Sequence, residues 1–125
     1  MKRAILGAFV CALVLKLFFF DFILAEGRSM SPAIETGRLL LVNKISYGFQ
    51  LPFGLGYLAR WAEPAAGDVV VFWTPYGTLA VKRCAGIGAG GMFVALGDNY
   101  DHSFDSRAYG PVSADCVVGK VAGVK

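Results

Sequence analysis

The feature that most constrains this chain is an apolar stretch close to its start. Residues Ala4–Ala25 are interrupted by only two charges, Lys16 and Asp21. Twenty of the first 26 residues are hydrophobic, against 56% for the 125-residue chain as a whole. As a helix rising 1.5 Å per residue, such a stretch covers about 33 Å, enough for a hydrocarbon core of about 30 Å. Lys2 and Arg3 ahead of it favour a cytoplasmic N-terminus, which sends the rest of the chain to the opposite side. Lys16 costs roughly 2.5–3.5 kcal/mol near a bilayer centre unless it snorkels or pairs. The competing reading is a cleaved leader with Ala4–Leu15 as its core. Phe18-Phe19-Phe20 after that core argue against it, as does Ile23 two positions before Ala25, where a small residue is wanted. The expected organisation is residues 1–25 as cytoplasmic N-terminus and single-pass transmembrane helix, and residues 26–125 as an extracytoplasmic domain.

Beyond the stretch, charge and cysteines exclude several classes. Twelve Lys/Arg against nine Asp/Glu give a net charge of +3 without a basic run, too diffuse for a nucleic-acid surface. Cys11, Cys84 and Cys116 form no CxxC pair, and His102 is the single histidine. A zinc site is not expected, nor any other metal or cofactor. Cys84 and Cys116 either pair or remain thiols. Short β-rich runs separated by Gly/Pro turns are read at Arg38–Ile45, Asp68–Trp73, Thr78–Cys84, Met92–Leu96 and Cys116–Val124. This pattern predicts a mostly β, antiparallel domain of small barrel or sandwich type. Ser46–Trp61 is aromatic and Gly-rich with no helical period, and no helix is expected after the first.

Without a metal, chemistry falls to nucleophile and base pairs. Ser29 sits in a turn, Gly27-Arg28-Ser29-Met30-Ser31-Pro32, and a nucleophilic serine needs a sharply held position and a nearby base. His102 stands in a polar loop and reads first as a surface residue. Lys82 lies in the strand Thr78–Cys84, where Ala80, Lys82 and Cys84 share one face and Leu79, Val81 and Arg83 the other. Small apolar neighbours desolvate an amine and lower its pKa, which suits a general base. The plain alternative is a lysine on a solvated strand face. The stretch Gly97–Arg107 holds Asp98, Asp101 and Asp105. An EF-hand would need Gly at position six and Glu at position twelve. Counted from Asp98 these are Ser103 and Tyr109, so a calcium loop fails.

In order along the chain these segments resemble the type I signal peptidases, membrane-bound Ser/Lys serine proteases. Glu26-Gly27-Arg28-Ser29-Met30-Ser31-Pro32 is similar to the segment around the family's nucleophile. Gly67-Asp68-Val69-Val70-Val71-Phe72 is similar to the strand that follows, and Val81-Lys82-Arg83 to the stretch bearing the general-base lysine. Gly97-Asp98-Asn99, Ser103, Asp105-Ser106-Arg107 and Gly110 resemble the last motif. The resemblance implies a signal-peptidase-like antiparallel β-sheet catalytic domain behind one transmembrane helix. Ser29 would be the nucleophile, Lys82 the general base and Ser103 the residue orienting the lysine amine. Arg83, Asp98, Asp105 and Arg107 would form structural ion pairs. The Ser29 N–H would serve the oxyanion, with Gly27 where some members add a hydroxyl.

Departures from the family pattern are Ala80 in place of a tyrosine before the lysine, and Gly86–Gly90 in place of Gly-any-Pro-Gly-Asp. The short segment up to Met92–Leu96 leaves no room for most of the family's cap, implying a reduced catalytic core. The family's membrane-dipping surface would fall on Ser46–Trp61, with Phe49, Phe53, Tyr57 and Trp61 facing the bilayer; a core hairpin is the alternative. The implied partners are preproteins with small residues before the cleavage site, the lipid bilayer and the secretion translocon, with the bacterial inner or plasma membrane as location. A dedicated peptidase maturing one exported protein, such as a pilin, and a catalytically silent binding protein of the same fold are the competing functions.

Overall fold

In a computed structural model, which describes residues 1–52 and 55–124, the apolar stretch is divided. Its first part is helix α1, Lys2–Phe18. Its second part is strand β1, Phe20–Leu24. The single helix expected up to Ala25 is thus corrected: α1 has 17 residues, about 25 Å at 1.5 Å per residue. Among the described residues, no helix is long and apolar enough to cross a membrane. The division has a local cause. Aromatic and β-branched residues at 18–23 favour an extended chain, and β2 (Leu39–Asn43) supplies a ladder that pairs Phe20 with Asn43 and Leu24 with Leu39. Lys44 closes the helix end, its Nζ donating to the carbonyls of Lys16 at 3.3 Å and Leu17 at 3.1 Å. A cation there satisfies orphan carbonyls and complements the helix dipole.

The remaining strands are β3 (Gly48–Leu51), β4 (Gly56–Arg60), β5 (Val69–Trp73), β6 (Leu79–Ile87), β7 (Met92–Leu96), β8 (Val112–Ser113) and β9 (Val117–Val121). Seven form one antiparallel sheet in the order β1-β2-β9-β5-β6-β7-β8, and β3 and β4 form a separate hairpin. The five strands expected from sequence are all present with ends shifted by a few residues. The segment 46–61 is the hairpin, and α2 is a single turn at Ser106–Tyr109. Gln50 docks the hairpin on the sheet through the Val118 carbonyl, and Tyr57 donates to the Val117 carbonyl at 2.7 Å.

The central strand explains the apolar excess of the β-domain. Val69, Val70, Val71 and Phe72 of β5 are all buried, so β5 is covered on both faces. Val69 and Val71 pack with Met30, Ile34, Leu40 and Val42. Val70 and Phe72 pack with Tyr47, Cys84, Phe93 and Val117. Two small cores therefore flank one sheet, and the loop after β1 is held in the first by Met30 and Ile34.

Candidate active site

The site grows from the two sides of that sheet. In the β5–β6 ladder Val70 stands opposite Lys82 and Phe72 opposite Ala80. The Lys82 stem thereby lies over the second core, and the residue is only 6% exposed. From the other direction comes the loop 25–37. Its Ser29 carbonyl accepts the Asn99 N–H at 2.8 Å, and its Arg28 carbonyl accepts Asn99 Nδ2 at 2.9 Å. Met30 is buried beneath, its sulfur 3.5 Å from the Asp98 N–H. These ties bring Ser29 to the lysine, with Lys82 Nζ 2.7 Å from Ser29 Oγ. Burial lowers the Lys82 pKa, and the charge of Asp105 opposes this without overcoming it. Once deprotonated, an amine at this distance has a lone pair for the Ser29 proton.

The last motif holds the lysine's surroundings. Asp105 is 1% exposed and accepts from the Gly97 N–H at 2.8 Å, the Ser103 hydroxyl at 2.6 Å and Arg107 Nε at 3.0 Å. Burial pushes its carboxyl up, but the bonds from Arg107, Gly97 and Ser103 outweigh that and hold it well below the usual carboxylate range. Arg107 lies 3.6 Å over the Tyr100 ring, and its pKa is raised first by its bond to Asp105 and then by the Tyr100 side chain. Arg83 meets Asp98 in a two-pronged pair, 2.8 Å at each contact, and reaches the Gly67 carbonyl at 2.9 Å. The structure thus pairs Arg83 with Asp98 and Arg107 with Asp105.

The Ser103 hydroxyl donates to Asp105, which leaves its oxygen lone pairs to accept from an amine. Gly27 has φ +75 and its carbonyl accepts the Thr36 hydroxyl at 2.6 Å. Among the described residues no acceptor meets the Ser29 backbone N–H.

A cleft of about 270 Å³ opens beside Ser29 and Lys82, walled by Ile23, Leu24 and Ala25 on one side and Leu79, Ala80 and Val81 on the other. The β1 wall escapes a sequence reading, since only pairing with β2 turns that part of the apolar stretch into a strand. The expected membrane-facing aromatics divide. Phe49 stacks on Phe18 with centroids 5.3 Å apart, Tyr57 is half-buried through its bond to β9, and Trp61 is 60% exposed. Phe53 lies outside the described residues. Phe49 and Tyr57 are half-buried where the hairpin meets α1 and β9. Exposed apolar side chains lie on β1–β2, at Phe20, Phe22, Leu24 and Leu39, and also on the segment 46–61, at Leu51, Leu55, Leu58 and Trp61. Also not anticipated is Tyr47, whose hydroxyl donates to Asp68 at 2.7 Å; Lys120 sits 3.2 Å from the same carboxylate. Cys84 and Cys116 carry free thiols.

The family profile described as "Signal peptidase, peptidase S26" matches residues 1–91 and 87–124. The chain is 31% identical over 115 residues to "Signal peptidase I" of Pseudomonas aeruginosa, covering 89% of this chain and 38% of that protein. It is 37% identical over 79 residues to "Signal peptidase I" of Bacillus caldolyticus, covering 62% of this chain and 37% of that protein. Over 96 residues it is 28% identical to "Signal peptidase I" of a Buchnera aphidicola strain, covering 75% of this chain and 31% of that protein. The chain therefore spans less than two fifths of the length of these relatives. Its matches place it in the class that the peptidase S26 profile describes. The chain belongs to the type I signal peptidase family.

Proposed function

We propose that the protein is a signal peptidase I, a serine endopeptidase cleaving the leaders of exported preproteins with a Ser29/Lys82 dyad. The single observation carrying this reading is the buried Lys82 amine 2.7 Å from the Ser29 hydroxyl at the floor of a peptide-sized cleft. Ser29 Oγ attacks the scissile carbonyl carbon while neutral Lys82 takes its proton, forming a tetrahedral oxyanion that the Ser29 N–H meets. Collapse breaks the C–N bond, and the Lys82 ammonium gives its proton to the leaving amine. Water, deprotonated by Lys82, then hydrolyses the acyl-enzyme and restores Ser29. Asp105, charged and buried, favours the ammonium that forms at each step. Ser103 holds Asp105 by its hydroxyl proton and orients the Lys82 amine by accepting from it.

Gly27 offers no side-chain donor, so the oxyanion relies on backbone. Ala80 and Ala25 along the cleft favour small side chains before the scissile bond. The apolar surfaces of α1 and of β1–β2 (Phe22 is 61% exposed and Leu39 also 61%) suit a lipid bilayer. On this reading α1 and that face seat the site at the membrane surface, with Lys2 and Arg3 on the cytoplasmic side and the β-domain outside, near the translocon that delivers preproteins.

The test is purified full chain with a leader-bearing precursor, comparing wild type with Ser29→Ala and Lys82→Ala. Wild type should release the mature protein at one bond and both variants should lose at least about 10³-fold in kcat, since a dyad acts as a unit. A wild type inert on a panel of precursors, or a variant that cleaves as well, would refute it.

A further inference from the structure

A second apolar recess has no part in the chemistry above. It is a groove of about 620 Å³ between α1 and the outer face of β1–β2, lined by the apolar Ala12, Leu15, Phe20, Phe22 and Leu41 and by Lys16 and Asp21. That volume falls within the range of about 300–1,000 Å³ in which pockets hold sizeable ligands. The groove is held by fixed elements. Lys44 ties the helix end to the domain, Phe18 stacks on Phe49, and the Phe22–Leu41 pair belongs to the β1–β2 ladder.

The groove adjoins the cleft along β1. Phe22 lines the groove, and Ile23, Leu24 and Ala25 line the cleft. Phe22 and Leu24 project from the same, exposed face of β1. From Ala25 to Phe22 is three residues, about 10 Å of extended chain. A peptide with its scissile bond at Ser29 and its upstream residues beside β1 reaches the groove within a few residues.

We infer that this groove binds the apolar segment of the substrate's leader, upstream of the small residues held in the cleft. The inference rests on the peptidase reading above. The occupant follows from chemistry: a leader places an apolar run of about 7–15 residues just before its small-residue cleavage site, whereas the exported part that follows is polar and gains nothing from apolar walls. The groove then selects leaders over other chains with small residues, and does so through binding rather than through the dyad.

The test uses full-length protein in nanodiscs and two synthetic peptides with the same Ala-X-Ala cleavage segment, one preceded by a twelve-residue Leu/Ala block. Wild type should prefer the long peptide by at least about tenfold in kcat/KM, mostly through KM, the effect of burying one or two large side chains. Ala12→Trp, which fills the groove from the exposed helix, and Phe22→Ser, which removes a wall, should each reduce that preference to within about twofold of unity. Ala12→Trp alters no strand, so it reports even where Phe22→Ser fails to fold. A photoreactive side chain in the apolar block should crosslink to residues 12–22.

Equal cleavage of both peptides by wild type overturns the inference, as does a preference that survives Ala12→Trp or crosslinking elsewhere. Lipid filling the groove would show as equal cleavage in nanodiscs. Failure to cleave either peptide overturns the peptidase reading instead.

Discussion

Gly97→Ala tests how tightly the site is assembled. Gly97 follows β7 where the Ser29 loop and the Ser103 segment meet. A methyl group there would strike the Ser103 side chain, and would lie 2.7 Å from the Ser29 carbonyl oxygen. Ordinary contact begins at 3.4 Å, so the Ser29 carbonyl must give by about 0.7 Å and the Ser103 side chain by more. Ser103 cannot turn away without breaking its 2.6 Å bond to buried Asp105. The Ser29 backbone cannot withdraw without leaving the Asn99 N–H and carrying Oγ off Lys82. Overpacking of this kind costs about 1–3 kcal/mol in stability. A displacement approaching 1 Å at the reacting atoms costs about 10²-fold in rate. Cleavage of a leader peptide by Gly97→Ala should therefore fall about 100-fold in kcat with KM moving much less. Thermal unfolding should show a destabilised but folded protein. A variant within about threefold of wild type in kcat would refute the reasoning, because the loop would then have slack that the packing denies.

Three further outcomes follow from the same geometry. Lys82 has a lowered pKa through burial, so kcat/KM should rise with pH through that pKa and plateau below the range of an ordinary lysine, near 10.4; a rise centred at or above the ordinary value contradicts a desolvated base. Between the folded and unfolded pKa of Lys82 the unfolded chain binds more protons, so stability rises with pH there; Lys82→Met should abolish cleavage and flatten that rise in denaturant titrations. Asp105 is held low, so its contribution is complete above the unfolded value of about 3.9 and is lost as pH falls through the folded one. Asp105→Ala strands the Gly97 N–H and the Ser103 hydroxyl at about 1–3 kcal/mol each, roughly 2–6 kcal/mol at neutral pH and progressively less in acid, measurable by urea unfolding.

Much of the β-domain was legible in the sequence because its signals are local. Asp68–Trp73 reads as a strand from its β-branched and aromatic run, and Gly67 and Gly77 mark the turns beside it. The residues now at the site, Ser29, Lys82, Ser103 and Asp105, stand out through their motifs. The alternation of β6 places Lys82 opposite Arg83, and the structure has Lys82 buried with Arg83 turned to Asp98. What escaped is what depends on partners distant in sequence. Phe20–Leu24 is as apolar as the residues before it, and only the ladder with Leu39–Asn43 takes it from helix to strand. The contacts of Phe49 with α1 and of Tyr57 with β9 likewise join residues far apart in sequence.

Taken alone, the sequence determined a β-rich chain with an apolar beginning and two residue types able to form a dyad, because propensity, turn chemistry and alternation act over a few neighbours. Tertiary structure decided that Ser29 and Lys82, 53 positions apart, stand 2.7 Å from each other. It also decided that the lysine is desolvated and that β1 furnishes one wall of the cleft. Those outcomes rest on burial and pairing across the sheet, which no local pattern carries.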